Sequence, residues 1–215
     1  VNYRLNDEFN WMTGQFYTPF TLDNNTGSNT TTFIEKAQAI RSFATPQSFG
    51  LGTMFWGKVA KGLFNYRAAF IMGDGFNRPN ADNRADFAGR VYFRPFAGEK
   101  AEWKDIQIGA SMLYGMRDKN RVYYDYDAMS TQAGYKFWSP TYSGAGGFTH
   151  ILPAGKQMGV AGELRIPIER LDFRAELVYV NNNTREAIDG YQTTNTQRFG
   201  VMKGTSYYVQ ASYWI

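Results

Sequence analysis

Leu171-Asp172-Phe173-Arg174-Ala175-Glu176-Leu177-Val178-Tyr179-Val180-Asn181 decides the fold. One side of this stretch carries Phe173, Ala175, Leu177 and Tyr179; the other carries Asp172, Arg174, Glu176 and Val178. A period of two is a strand, because successive side chains leave a pleated backbone on opposite sides. The pattern recurs. Phe64, Tyr66, Ala68, Phe70 and Met72 oppose Asn65, Arg67, Ala69 and Ile71. Phe87, Gly89, Val91 and Phe93 oppose Asp86, Ala88, Arg90, Tyr92 and Arg94. Ile106, Ile108, Ala110, Met112 and Tyr114 oppose Gln107, Gly109 and Ser111. Tyr207, Val209, Ala211, Tyr213 and Ile215 oppose Gln210 and Ser212.

Working outward, the periodicity predicts eight strands: Phe9–Tyr17, Leu51–Lys58, Leu63–Met72, Asp86–Phe96, Ile106–Met116, Gln157–Ile166, Leu171–Asn181 and Thr205–Ile215. Val1–Leu5 reads as the end of an earlier one. Most approach the ~9–11 residues with which a tilted strand crosses a bilayer. Alternation alone does not say which face meets lipid: a soluble β-sandwich shows the same pattern with its apolar face inside. The connections favour a barrel. Short turns near 6–8, 59–62 and 167–170 alternate with long segments at 18–50, 117–156 and 182–204. Tight turns at one end and long loops at the other are the arrangement of an outer-membrane barrel. A short helix is expected over Thr32–Ile40, from the helix formers Glu35, Lys36, Ala37 and Gln38.

Composition narrows the function. The chain has 215 residues, 43% hydrophobic and 20% charged, with 17 Phe, 15 Tyr and 22 Gly. No run approaches the ~20 apolar residues of a membrane-spanning helix. There is no cysteine and one histidine, His150, which removes disulfides and His- or Cys-based metal sites. The net charge of +4 carries no Lys/Arg stripe for nucleic acid. His150 lies downstream of Ser143 and Asp127, and nothing in their spacing assembles a catalytic triad, so no enzyme activity is expected. Asp74, Asn77, Asn80, Asp82 and Asn83 offer oxygens to a cation, but without the spacing of a calcium loop they read as turn chemistry. The aromatic run of 117–142 suits a partner contact or self-packing of a long loop.

Several blocks resemble the phosphate-selective porin family of Gram-negative outer membranes. They are Gly14-Gln15-Phe16-Tyr17-Thr18-Pro19-Phe20 followed by Thr32-Phe33-Ile34-Glu35-Lys36; Gly73-Asp74-Gly75 followed by Asp86-Phe87-Ala88-Gly89-Arg90-Val91 and Arg94-Pro95-Phe96; Phe173-Arg174-Ala175-Glu176-Leu177; and Tyr207-Tyr208-Val209-Gln210-Ala211-Ser212-Tyr213. The resemblance implies an all-β, trimeric, antiparallel transmembrane barrel of about sixteen strands per subunit, roughly half of them present here as one domain over 1–215. A chain with part of the barrel missing is therefore expected, an eight-stranded barrel being the rival. The resemblance also implies that 18–50 folds inward as a constriction loop, with Glu35, Lys36 and Arg41 near the narrowest point. It leaves 117–156 as a long extracellular loop. The family often carries Lys where this chain has Tyr17, so a mild anion preference is expected without phosphate specificity.

On that reading Lys58, Arg67, Arg90, Arg94, Arg165 and Arg174 line the pore and bias it toward anions. The opposing reading is a solvated face, where neighbours such as Glu163–Arg165 and Arg174–Glu176 cancel. The expected function is passive diffusion of small solutes through an outer-membrane porin. No cofactor is required, and the expected partners are small anions, outer-membrane lipid and lipopolysaccharide, and two further copies of the chain. A structural envelope barrel and a soluble binding module are the alternatives.

Overall fold

A computed structural model describes residues 1–27, 31–33, 35–43, 48–72, 80, 82–99, 102–119, 126, 128–131, 133–144, 147–188 and 196–215. For residues 41–43, 144, 147–148, 188 and 196–197 only the backbone is described. Among the described residues twelve strands appear in chain order: β1 (Asn2–Arg4), β2 (Asn10–Tyr17), β3 (Phe49–Val59), β4 (Phe64–Ile71), β5 (Asp86–Phe93), β6 (Gln107–Arg117), β7 (Met129–Ser130), β8 (Lys136–Trp138), β9 (Thr141–Gly144), β10 (Gly147–Ile168), β11 (Leu171–Ile188) and β12 (Thr196–Tyr213). One helix, α1 (Gln38–Phe43), lies between β2 and β3, later than the predicted Thr32–Ile40.

Nine strands form one antiparallel meander, β1-β2-β3-β4-β5-β6-β10-β11-β12; β9 adds to the upper part of β10, and β7 pairs with β8 apart. Every predicted strand is present, the Val1–Leu5 stub included. β5 stops at Phe93 rather than Phe96, since Pro95 has no N–H to give the ladder. The last three strands run well past their predicted ends, to 22, 18 and 18 residues. Thus 147–156, read as part of a loop, is strand, and so are 182–188 and 196–204. At the short-turn end, Ala60 and Lys61 (φ 51° and 56°) close β3–β4, and Glu169 (φ 49°) helps close β10–β11.

The apolar side faces out. Phe64, Val91, Ile108, Leu177 and Tyr207 are all more than half exposed, whereas Asp86, Arg90, Glu163 and Glu176 are at most 5% exposed. β6 alternates along its length: Gln107, Ser111, Leu113, Gly115 and Arg117 buried; Ile108, Met112, Tyr114 and Met116 exposed. A sandwich requires the reverse, because burying apolar area in water is its main driving force. With apolar rows outward and charges inward, this is the wall of a transmembrane barrel. Cross-strand aromatic pairs hold the outer face: Tyr3–Trp11 stack at 5.5 Å between ring centroids, Phe64–Phe93 meet tilted at 5.0 Å, and Phe70–Phe87 meet edge-on at 5.8 Å.

Candidate functional site

The inward face is a ladder of charges whose pairing is set by register. Residues directly opposite across two antiparallel strands share a face. Here like meets like: Arg67 opposes Arg90, Glu163 opposes Glu176, and Arg165 opposes Arg174. Each repulsion is resolved by a partner elsewhere. Arg90 clamps Glu163 with Nε (2.8 Å) and Nη2 (2.6 Å), and Gln107 Nε2 adds a third bond at 3.1 Å. Asp172 accepts from Arg165 Nε (2.9 Å) and from Arg174 Nε (3.0 Å). Higher up, Arg117 forms a buried bidentate pair with Asp86; Gly115 between them is required, since a Cβ there would meet Asp86 Oδ1 at 2.0 Å.

Glu176 is left facing Glu163 and finds its donors in the segment after β2. Its carboxylate accepts the backbone N–H of Leu22 (2.5 Å) and of Asp23 (2.9 Å), and the Tyr208 hydroxyl at 2.8 Å. The same segment is stitched to four other strands. Thr21 N–H donates to Ser111 Oγ (3.0 Å), and Arg67 Nη1 donates to Asn25 Oδ1 (2.8 Å). Ser206 Oγ donates to the Ala39 carbonyl (2.9 Å). The Phe20 ring lies on Gly159, where a Cβ would come within 2.9 Å of it. Phe20 and Ile40 join Phe16, Met54, Ile71, Leu113, Val178 and Val180 in the molecule's hydrophobic core. The core is therefore between the inward segment and the inside of the sheet.

The segment also holds itself. Asn25 Nδ2 donates to the carbonyls of Thr18 (3.0 Å) and Thr21 (2.9 Å). Ala37 N–H donates to Asp23 Oδ2 (3.0 Å), and Lys36 Nζ to the Asn24 carbonyl (2.9 Å). Burial raises the Asp23 pKa above the usual carboxylate value, against the opposing pull of Ala37 N–H and Lys36. Burial likewise lowers that of Lys36.

The candidate residues fall into distinct places. Arg90, Arg165 and Arg174 lie in the ion-paired ladder. Arg67 reaches the inward segment. Arg94 sits at the short-turn end, donating to Asp105 Oδ1 (3.0 Å) and the Gly62 carbonyl (3.2 Å). Lys58 is exposed near that end, on the parity of Met54 and Trp56. Glu35 accepts from Gln38 (2.9 Å), next to Lys36. The Arg41 side chain lies outside the described residues, as do Asp74, Asn77 and Asp127. His150 Nδ1 lies 3.2 Å from the Thr141 hydroxyl. Asn80 Oδ1 accepts the N–H groups of Asp82 (3.1 Å) and Asn83 (2.9 Å), which is turn chemistry.

Sequence reasoning missed the anchoring role of Glu176, and Arg117 altogether. Both were within reach of the pattern: Arg117 continues the inward parity of Ser111 and Gly115, and Glu176 shares its face with Tyr208 once the hairpin register is drawn.

No curated protein and no solved structure matches the chain. A family model, phosphate-selective porin O and P, matches residues 1–138, more than half of the chain. The match covers the segment after β2 and the strands β1 to β8, and the outward apolar and inward charged faces are those such a channel needs. The chain belongs to the phosphate-selective porins of Gram-negative outer membranes.

Proposed function

We propose that this porin passes small solutes by passive diffusion with a mild preference for anions, and that residues 18–43 narrow its passage. The observation that carries the reading is the seat of that segment on Glu176, which holds it against the inner wall rather than over the surface. The electrostatics support a modest bias. Most inward cations are paired, which weakens the field of any one of them. Arg67, however, bonds a neutral amide, and the five inward arginines named above (Arg67, Arg90, Arg117, Arg165 and Arg174) outnumber the four inward acids, Asp86, Glu163, Asp172 and Glu176, by one. An arginine keeps its charge at any working pH, so the excess is permanent. Phosphate is one of the anions this field would favour, without a dedicated site in the reading. We extend the family's trimer to this chain as part of the same proposal.

The test is the zero-current potential of the native protein in a planar bilayer across a KCl gradient, repeated with phosphate. An anion-selective potential that shrinks in R67Q supports the reading. Folded protein that does not conduct would overturn it in favour of a structural envelope barrel.

A further inference from the structure

Four neighbouring strands change chemistry on the outer face, each one residue pair earlier than the strand before it, as a tilted boundary would run. On β6, Tyr114 and Met116 give way to Lys119 just beyond the strand; on β10, Val160 and Met158 give way to Lys156. On β11, Leu177 and Tyr179 give way to Asn181 and Asn183; on β12, Tyr207 gives way to Thr205 and Lys203. Register puts these on common rows: Tyr114, Met158, Asn181 and Lys203 form one, and Lys156 opposes Met116. Lys119 and Lys203 are exposed and Lys156 half-buried. Above the rows lies a cleft of about 240 Å³ lined by Lys119, Ala154, Asn183, Thr184, Phe199 and Val201. Next to the lining residue Ala154 is Gly155 (φ 80°), where a Cβ would meet Asn183 Nδ2 at 3.2 Å and the Lys119 stem at 3.6 Å. Lys119 Nζ stands 5.8 Å from the centre of the Phe199 ring. Two acids stand nearby: Asp118 precedes Lys119, and Glu186 is engaged by Arg198 (2.9 Å).

We propose that this cleft and its lysines bind the phosphate-bearing head group of an outer-leaflet lipid, whose acyl chains lie on the apolar rows beneath. Two features select that occupant. The cleft is continuous with the lipid-facing band, so an amphiphile spans both. Its cations sit at the apolar-to-polar boundary, where head-group phosphates are found, and lysine near such a surface attracts anionic lipid. Apolar Phe199 and Val201 with the amides of Asn183 suit the sugar and linker parts of a glycolipid better than a bare ion.

The proposal rests on the outward-face assignment and not on ion selectivity, so the two are separable. The porin in detergent is mixed with lipid A, or with the same lipid stripped of its phosphates, and retained lipid is counted by native mass spectrometry. Phosphorylated lipid should be retained, and removing the phosphates or making K119Q/K156Q/K203Q should weaken retention about a hundredfold. The charge-keeping K119R/K156R/K203R should restore it, which separates lost charge from lost fold. Equal retention of both lipids, or by both triple variants, overturns the proposal. So does displacement of the lipid by inorganic phosphate, which would assign the cleft to the free ion. Conductance unchanged in K119Q/K156Q/K203Q is expected; a failure of conductance in the native protein would strike the pore reading alone.

Discussion

Glu176 receives two consecutive backbone N–H groups and a phenol, and its truncation leaves those donors buried without partners. A buried donor left unpaired costs about 1–3 kcal/mol. E176A should therefore release 18–43 from the wall, seen as larger and noisier single-channel currents in a planar bilayer; unchanged conductance would show that the segment does not set the aperture. D23N tests the neighbouring group in the opposite sense. The Asp23 charge is disfavoured by burial, and an asparagine still offers Oδ1 to Ala37 N–H, so conductance should hold at the native level. Glu163 differs from both: E163Q strips Arg90 of its counter-charge in a site where both are nearly fully covered. A broken buried pair costs about 3–5 kcal/mol, to be read as a lower urea midpoint in detergent. The charged residues were visible as a face in the sequence; their partners were not. A partner depends on which residues the register sets opposite each other, and here it sets like on like, so neighbours two apart are a poor guide.

At the scale of the element, alternation was enough to find the nine strands of the meander and to place their turns. It underestimated β10, β11 and β12 for a physical reason. Period two is visible only where one face is apolar, and beyond Tyr179 and Tyr207 the outer face becomes Asn181, Asn183, Thr205 and Lys203 before Val201 and Phe199 return, so the contrast is interrupted while the backbone ladder continues. A bulge adds to this. Register shifts between Pro153 and Gln157, so the buried side changes from Leu152 and Ala154 to Gln157 and Gly159. Gly155 supplies the left-handed backbone the shift requires. G155A combines that strain with a crowded Cβ, and should lower the urea midpoint more than G98A, where a Cβ meets nothing within 4 Å. Equal midpoints would show that the bulge tolerates a side chain. The packing of Phe20, Leu22 and Ile40 against the sheet was not legible, because no local pattern reports contacts as distant as Leu22 with Glu176.

The whole molecule is turned inside out relative to a water-soluble fold, and that makes two checks direct. Leu177 lies midway along the outward side of β11; L177R should cost about 2–4 kcal/mol in a bilayer, whereas in a soluble protein an exposed leucine accepts arginine almost freely. Lipids brominated in their acyl chains should quench Trp11, which lies outside, and spare Trp56, which packs toward the core; single-tryptophan variants make the comparison. Reversed quenching would invert the assignment of faces. The meander has a further consequence for how the protein comes into being. Most wall contacts join neighbours in the chain and can form hairpin by hairpin as the sheet enters lipid, where unpaired backbone groups are not tolerated. The contacts of 18–43 are of another kind: Leu22 must wait for a glutamate 154 residues downstream. Its cradle does not exist until β11 and β12 are in place, so on the proposed reading the wall stands before its aperture: the segment that would narrow the channel is seated only after the strands that hold it.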